Sequence, residues 1–91
     1  MTVPVSAVII AKNEQSRIKD CIESIYGWVD EIVIVDDQST DETRAIALKY
    51  TDKIFTRRMD LEGKQRNFGA SCARHDWILL LDCDVRITDE L

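Results

Sequence analysis

Apolar residues follow two alternating rhythms along this chain. Four runs rich in Val, Ile and Leu read as strands: Val5 to Ala11, Glu31 to Val35, Lys53 to Thr56 and Trp77 to Leu81. The first is apolar almost throughout, as a strand covered on both faces should be. Between the strands the period lengthens. Ile18, Cys21, Ile22 and Ile25 fall at i, i+3, i+4 and i+7, which predicts a helix from Ser16 to Tyr26 that ends at Gly27. Ser39 with Glu42 three residues later is a capping-box signature, predicting a helix that runs to Tyr50. After a polar loop carrying Arg57, Arg58 and Asp60, a third helix is expected from Gly63 to Ala73. Strand and helix in alternation predict an α/β fold, Rossmann-like, with a mainly parallel sheet.

At 91 residues the chain has room for one domain or a piece of one. Thr88-Asp89-Glu90-Leu91 reads as an N-cap and the first turn of a further helix, so the expectation is one domain over 1–91, cut short at its C-terminal end. With 45% hydrophobic and 32% charged residues the composition is that of a globular protein, and no apolar run approaches the roughly 18 residues of a membrane span. The N-terminus has no basic segment before its apolar run, so a secretion signal is not expected. A net charge of −5 disfavours a nucleic-acid surface, which needs a concentrated basic face. Cys21, Cys72 and Cys83 are odd in number and lack zinc spacing, which points to reduced thiols and a cytoplasmic setting.

Chemistry concentrates where the strands end. The first is followed by Lys12-Asn13-Glu14, the second by Asp36-Asp37, and the fourth by Asp82-Cys83-Asp84. In an open parallel sheet ligands bind at the carboxyl ends of the strands, so these three tips should share one edge, with Lys64 and Arg66 near the start of the third helix facing them. Each tip has a bland explanation. Asp36 and Asp37 could cap the following helix, Asp82 and Asp84 could solvate a loop, and Lys64 could lie on a wetted helix face. Convergence is harder to explain in that way, because clustered carboxylates repel unless a cation or a hydrogen-bonded ligand compensates them. A hard divalent ion held by one or two carboxylates and water is the usual device for holding a diphosphate. His75, between Arg74 and Asp76, reads as a residue of a polar surface turn. No Gly-rich dinucleotide or P-loop signature occurs.

The segments Val8-Ile9-Ile10-Ala11-Lys12-Asn13-Glu14, Ile34-Val35-Asp36-Asp37-Gln38-Ser39-Thr40-Asp41-Glu42-Thr43, Gly63-Lys64-Gln65-Arg66-Asn67-Phe68-Gly69 and Trp77-Ile78-Leu79-Leu80-Leu81-Asp82-Cys83-Asp84, in that order, resemble family 2 glycosyltransferases of the GT-A fold. The Lys-Asn-Glu tip is similar to the branch containing lipopolysaccharide core glucosyltransferases. The resemblance implies a nucleotide-sugar-binding part of an enzyme that transfers a sugar from a nucleotide-diphosphate sugar, a UDP-sugar being favoured, to the hydroxyl of a glycan or glycolipid acceptor. The setting it implies is bacterial cell-surface polysaccharide or lipopolysaccharide synthesis, in the cytoplasm or at the inner face of the membrane.

By the same resemblance Asp37 would approach the nucleobase with Asp36 supporting it, and Lys12, Asn13 and Glu14 would line the nucleotide pocket. Lys64 or Arg66 would sit near the base. Asp82 would face ribose or metal-bound water, and Asp84 would ligate Mn2+ or Mg2+. The general base would lie beyond position 91, so no catalytic residue is expected here, and self-association through uncovered apolar surface is plausible. Cys83 departs from the family, which more often has a small residue between the two acids.

Two competing readings differ in class. Asp36-Asp37 followed by Asp82 resembles the acidic pair and phosphoacceptor of response-regulator receiver domains, although a whole strand and helix precede the pair and no later lysine-bearing strand follows. The other is a nucleotide-binding fragment without turnover of its own.

Overall fold

The computed structural model describes residues 3–58 and 62–83, apart from the side chains of residues 62, 63, 66 and 82. Four strands, β1 (Val3–Ala11), β2 (Val29–Asp36), β3 (Ile54–Thr56) and β4 (Trp77–Asp82), form one sheet in the order β3-β2-β1-β4. All three pairings are parallel, with Ile9 opposite Ile34 and Leu81, and Ile34 opposite Ile54. The α/β, Rossmann-like expectation holds. From β1 the chain steps outward through β2 to β3 and then crosses back to β4 on the other side of β1, so strand order reverses between β1 and β4. In the described sheet β1 lies between β2, which leads into the acidic pair, and β4.

The side-chain period of a strand sorts the core into two layers. Ala7, Ile9 and Ala11 of β1, Ile32 and Ile34 of β2, and Leu81 of β4 pack with Ile18, Cys21 and Ile22 of α1 (Ile18–Glu23), Ile25 beyond it, and Ala47 of α2 (Thr43–Ala47). On the other face Val8, Ile10, Val33 and Val35 meet Phe68 and Cys72 of α3 (Glu62–Cys72). With helices on both sides, β1 has no solvent face over its last six residues, which accounts for the apolar run from Ala7 to Ala11. Along β4, Trp77 and Leu80 remain exposed.

Two helices depart from expectation. The first is regular only over Ile18–Glu23. Single turns carry the chain onward to Gly27, whose φ of +85° reverses it into β2. The second is also short, and Ser39 is not its cap. The N-cap position is Glu42, with no side-chain bond from that residue, because Asp36 engages Ser39 and Asp41 takes over the capping role.

At the amino edge of the sheet a buried carboxylate ties β1 and β2 to the segments that lead into β3 and β4. Glu31 accepts hydrogen bonds from the Ser6 hydroxyl at 2.6 Å and the Arg74 backbone N–H at 2.6 Å, and its other oxygen pairs with Lys53. Asp30 binds Arg74 and His75 at 2.7 and 2.6 Å. His75 therefore works at the edge opposite the candidate site. A groove of about 670 Å³, lined by residues including Tyr26, Asp30, Lys53 and Arg74, opens at this amino edge.

Candidate functional site

The strand register brings the three tips to one edge. Ala11 is opposite Asp36, and Ile10 is opposite Asp82, so the chain leaves β1, β2 and β4 at nearly the same height. Beyond β1 and β2 the two loops lace together. The Asp37 N–H donates to the Ala11 carbonyl at 2.8 Å, continuing the sheet by one rung. After that rung the bonds are reciprocal between backbone and side chain. Backbone N–H groups of Asn13, Glu14 and Gln15 donate to Ser39 Oγ (2.8 Å), Thr43 Oγ1 (2.8 Å) and Asp41 Oδ2 (3.2 Å). In return, the N–H groups of Thr40 and Glu42 donate to Asn13 Oδ1 (2.8 Å) and Gln15 Oε1 (3.0 Å). Asn13 and Gln38 adopt left-handed φ values of +49° and +53°, and Asn tolerates that region better than most residues with a side chain.

The acids at the β2 tip have separate surroundings. Asp36 is fully buried, and its carboxylate accepts the Ser39 N–H at 2.9 Å and the Ser39 hydroxyl, with Arg44 Nε at 3.6 Å. That set of partners compensates a charge that would otherwise be costly to bury. Asp37 points to the rim, where the Lys12 ammonium lies 3.8 Å from its carboxylate. Lys12 is 62% exposed and the Asp37 side chain 10%, so the ammonium of the pair is open to solvent while the carboxylate is largely covered. Glu14 pairs with Arg17 at 3.8 Å. The Thr43 hydroxyl, followed by backbone N–H donors, holds the Asp41 carboxyl below the usual aspartate range.

Lys64 is exposed on α3, and Arg66 lies one position beyond the buried Gln65 on the same helix. Asp82 ends β4, and Asp84 lies outside the described residues. Among the described residues no group of three or more His, Cys, Asp or Glu side chains could hold a metal ion. Asp36 is engaged by Ser39 and Arg44, and Asp37 by Lys12. Cys83 is buried, its thiol 3.9 Å from the Ile10 carbonyl. No helix among the described residues is long and apolar enough to cross a membrane.

Sequence reasoning missed the Arg57–Gln65 clamp. Gln65, fully buried, donates to the Arg57 carbonyl at 2.7 Å and accepts from the Arg57 guanidinium at 2.8 Å, while that guanidinium lies 5.1 Å from the centre of the Phe68 ring. The Arg57 N–H also continues the ladder to the Asp36 carbonyl at 2.8 Å. The clamp thus locks the β3 exit to the first turns of α3. Gln65 stands between Lys64 and Arg66, and nothing in that polar run signals its burial.

Comparison with known proteins fits this architecture. The model of Glycosyl transferase family 2 matches residues 6–91. An uncharacterized glycosyltransferase of Rickettsia conorii is 37% identical over 91 residues, covering 100% of this chain and 32% of its own length. The lipopolysaccharide core biosynthesis glycosyltransferase LpsC of Rhizobium meliloti is 36% identical over 97% of this chain and 34% of its own. Among solved structures, Staphylococcus aureus TarS superposes with a TM-score of 0.78 at 27% identity, over 97% of this chain and 29% of that one. Glucosyl-3-phosphoglycerate synthase from Mycobacterium tuberculosis, in complex with UDP, gives a TM-score of 0.76 at 22% identity, over 90% of this chain and 34% of that one. The chain therefore spans about a third of the length of the relatives it matches. A parallel α/β sheet whose polar strand tips gather beside the strand-order reversal, together with a family match over nearly its whole length, makes this chain a member of glycosyl transferase family 2, with the GT-A type of fold.

Proposed function

We propose that the chain forms the nucleotide-sugar-binding part of a glycosyltransferase, which moves a sugar from a nucleoside diphosphate onto an acceptor hydroxyl. The observation that carries this reading is the meeting of the β1, β2 and β4 ends at one edge, with the Lys12–Asp37 pair beside it and Asp82 ending β4 at the strand-order reversal. In the proposed complex Asp37 accepts hydrogen bonds from the nucleobase or ribose, and Asp36 holds the turn from which Asp37 projects. Lys12 exchanges its partner Asp37 for an anionic oxygen of the ligand. Lys64 and Arg66 flank the base.

Asp82 and Asp84 are proposed to hold Mn2+ or Mg2+, with Asp82 also serving ribose or metal-bound water. When bound, that ion neutralises charge on the departing diphosphate. Structures of the mycobacterial synthase contain Mn2+ or Mg2+ together with UDP, and Mn2+ with UDP-glucose, which supports a divalent ion and a UDP-sugar donor. The similarity to LpsC, a lipopolysaccharide core biosynthesis glycosyltransferase, supports cell-surface polysaccharide or lipopolysaccharide synthesis as the setting; the proposed acceptor is a glycan or glycolipid, and the proposed location the cytoplasm or the inner membrane face.

Titration calorimetry tests the reading. UDP with Mn2+ should release or absorb heat with a single-site stoichiometry, and Asp37→Ala should weaken binding by about tenfold or more. Absence of heat for UDP, GDP and CDP alike overturns it.

A further inference from the structure

Six hydrogen bonds run between the loop 12–15 and the loop 37–43, and Asn13 takes part in three of them. Its backbone N–H reaches Ser39 Oγ, and Ser39 in turn donates to the buried Asp36. Its Oδ1 accepts the Thr40 N–H at 2.8 Å, and the Thr40 hydroxyl lies at 3.4 Å from the same atom. Asn13 also holds the left-handed φ of +49° that turns the chain back toward β2. Its carboxamide oxygen is thus committed within the protein, to the segment that directly follows Asp37.

We propose that Asn13 is a positioning residue for nucleotide binding, acting through the Thr40 amide to hold Asp37 opposite Lys12, and not a group that contacts the ligand. This rests on the nucleotide-sugar reading above. A rim whose two charged groups belong to different loops is preorganised only if those loops move as one body, and ordering them during binding would cost affinity. In sequence Asn13 directly follows Lys12, and Ser39 lies two residues after Asp37.

The role separates cleanly from direct contact, because the two demand different atoms of the side chain. Positioning needs an acceptor oxygen at the Oδ1 position and tolerance of positive φ. Contact with the ligand through the carboxamide would use the Nδ2 donor, since Oδ1 is engaged. Asn13→Asp keeps the oxygen and removes the donor. Asn13→Gly keeps the conformational tolerance and removes both.

The test is calorimetric titration of the native chain, Asn13→Gly and Asn13→Asp with UDP and Mn2+, alongside amide hydrogen exchange at Thr40. Circular dichroism first establishes that each variant is folded. The expected result is that Asn13→Gly binds about tenfold more weakly, with faster Thr40 exchange, while Asn13→Asp stays within about threefold of the native chain with Thr40 still protected. A purely structural role would lower the melting temperature of Asn13→Gly but leave its UDP affinity unchanged, and that outcome overturns the proposal. Asn13→Asp binding as weakly as Asn13→Gly, with Thr40 still protected, also overturns it, in favour of direct contact. A native chain that binds UDP while the glycine variant binds equally well defeats the positioning role alone. A native chain that binds no nucleotide defeats both this role and the reading beneath it.

Discussion

Gly69 packs closely against the sheet, and replacing it by alanine probes how α3 seats on β1 and β2. A methyl group at 69 would fall 2.3 Å from Val8 Cγ1 and 3.1 Å from Val35 Cγ2, both on fully buried valines at the centre of the sheet. Carbon atoms pack at about 3.5–4.0 Å, so the helix would have to lift by roughly 1 Å or the valines leave their preferred rotamers. Overpacking of this kind costs about 1–3 kcal/mol, against which alanine regains about 0.5–1 kcal/mol of helix propensity. The expected net loss is about 1–2 kcal/mol, or a fall of about 5–15 °C in melting temperature for a domain of this size. Urea denaturation followed by circular dichroism measures it. The contact partner can be tested in the same series: Val8→Ala removes the obstructing methyl groups, so the double variant should be more stable than the sum of the single losses by about 1 kcal/mol. A neutral or stabilising Gly69→Ala, or strict additivity with Val8→Ala, would show that α3 does not seat on β1 through this glycine.

Two further perturbations probe the edges of the sheet. Glu31→Ala leaves the Ser6 hydroxyl, the Arg74 N–H and Lys53 without their common acceptor and should cost about 3 kcal/mol in urea denaturation, with a loss below about 1 kcal/mol contradicting the network. At the opposite edge, Asp41 titrates below its ordinary value because the folded loop favours its charged form, chiefly through Thr43. Its contribution to stability is therefore present above the ordinary aspartate value of about 3.9 and is lost as pH falls through the lower folded value. Thr43→Val should move the Asp41 carboxyl titration, followed by carbon-detected NMR, up toward the ordinary value, and an unchanged midpoint would show that the hydroxyl is not the cause.

The parts of this fold that were legible in the sequence are those governed by local period. The run from Val5 to Ala11 had to be covered on both faces, and Ile18, Cys21, Ile22 and Ile25 had to share one, because strand and helix geometry leave little choice. What local period cannot encode is competition between side chains for the same backbone group. Ser39 and Glu42 have the spacing of a capping box, yet Asp36, three residues before Ser39 and buried, takes the Ser39 N–H and hydroxyl, and the capping bond passes to Asp41. Buried polar residues with distant partners were equally hidden. Glu31 is buried by virtue of a partner 43 residues away, and Gln65 by a clamp on Arg57.

The candidate site divides along the same line. That the tips at Lys12, Asp36 and Asp82 share an edge follows from parallel strands alone. That Asn13 turns inward to Thr40 while Lys12 meets Asp37 depends on how two loops lock together, and each loop's sequence is also compatible with other turns.

The central claim is that the carboxyl edge, and not the groove at the amino edge, receives a nucleotide. The most direct measurement is a titration of the isotopically labelled chain with UDP and Mg2+, following backbone amide shifts by NMR. The account predicts saturable shifts at Lys12, Asn13, Asp37 and Asp82, with Asp30, Lys53 and Arg74 unmoved. Shifts confined to Asp30, Lys53 and Arg74, or none at saturating UDP, would contradict it.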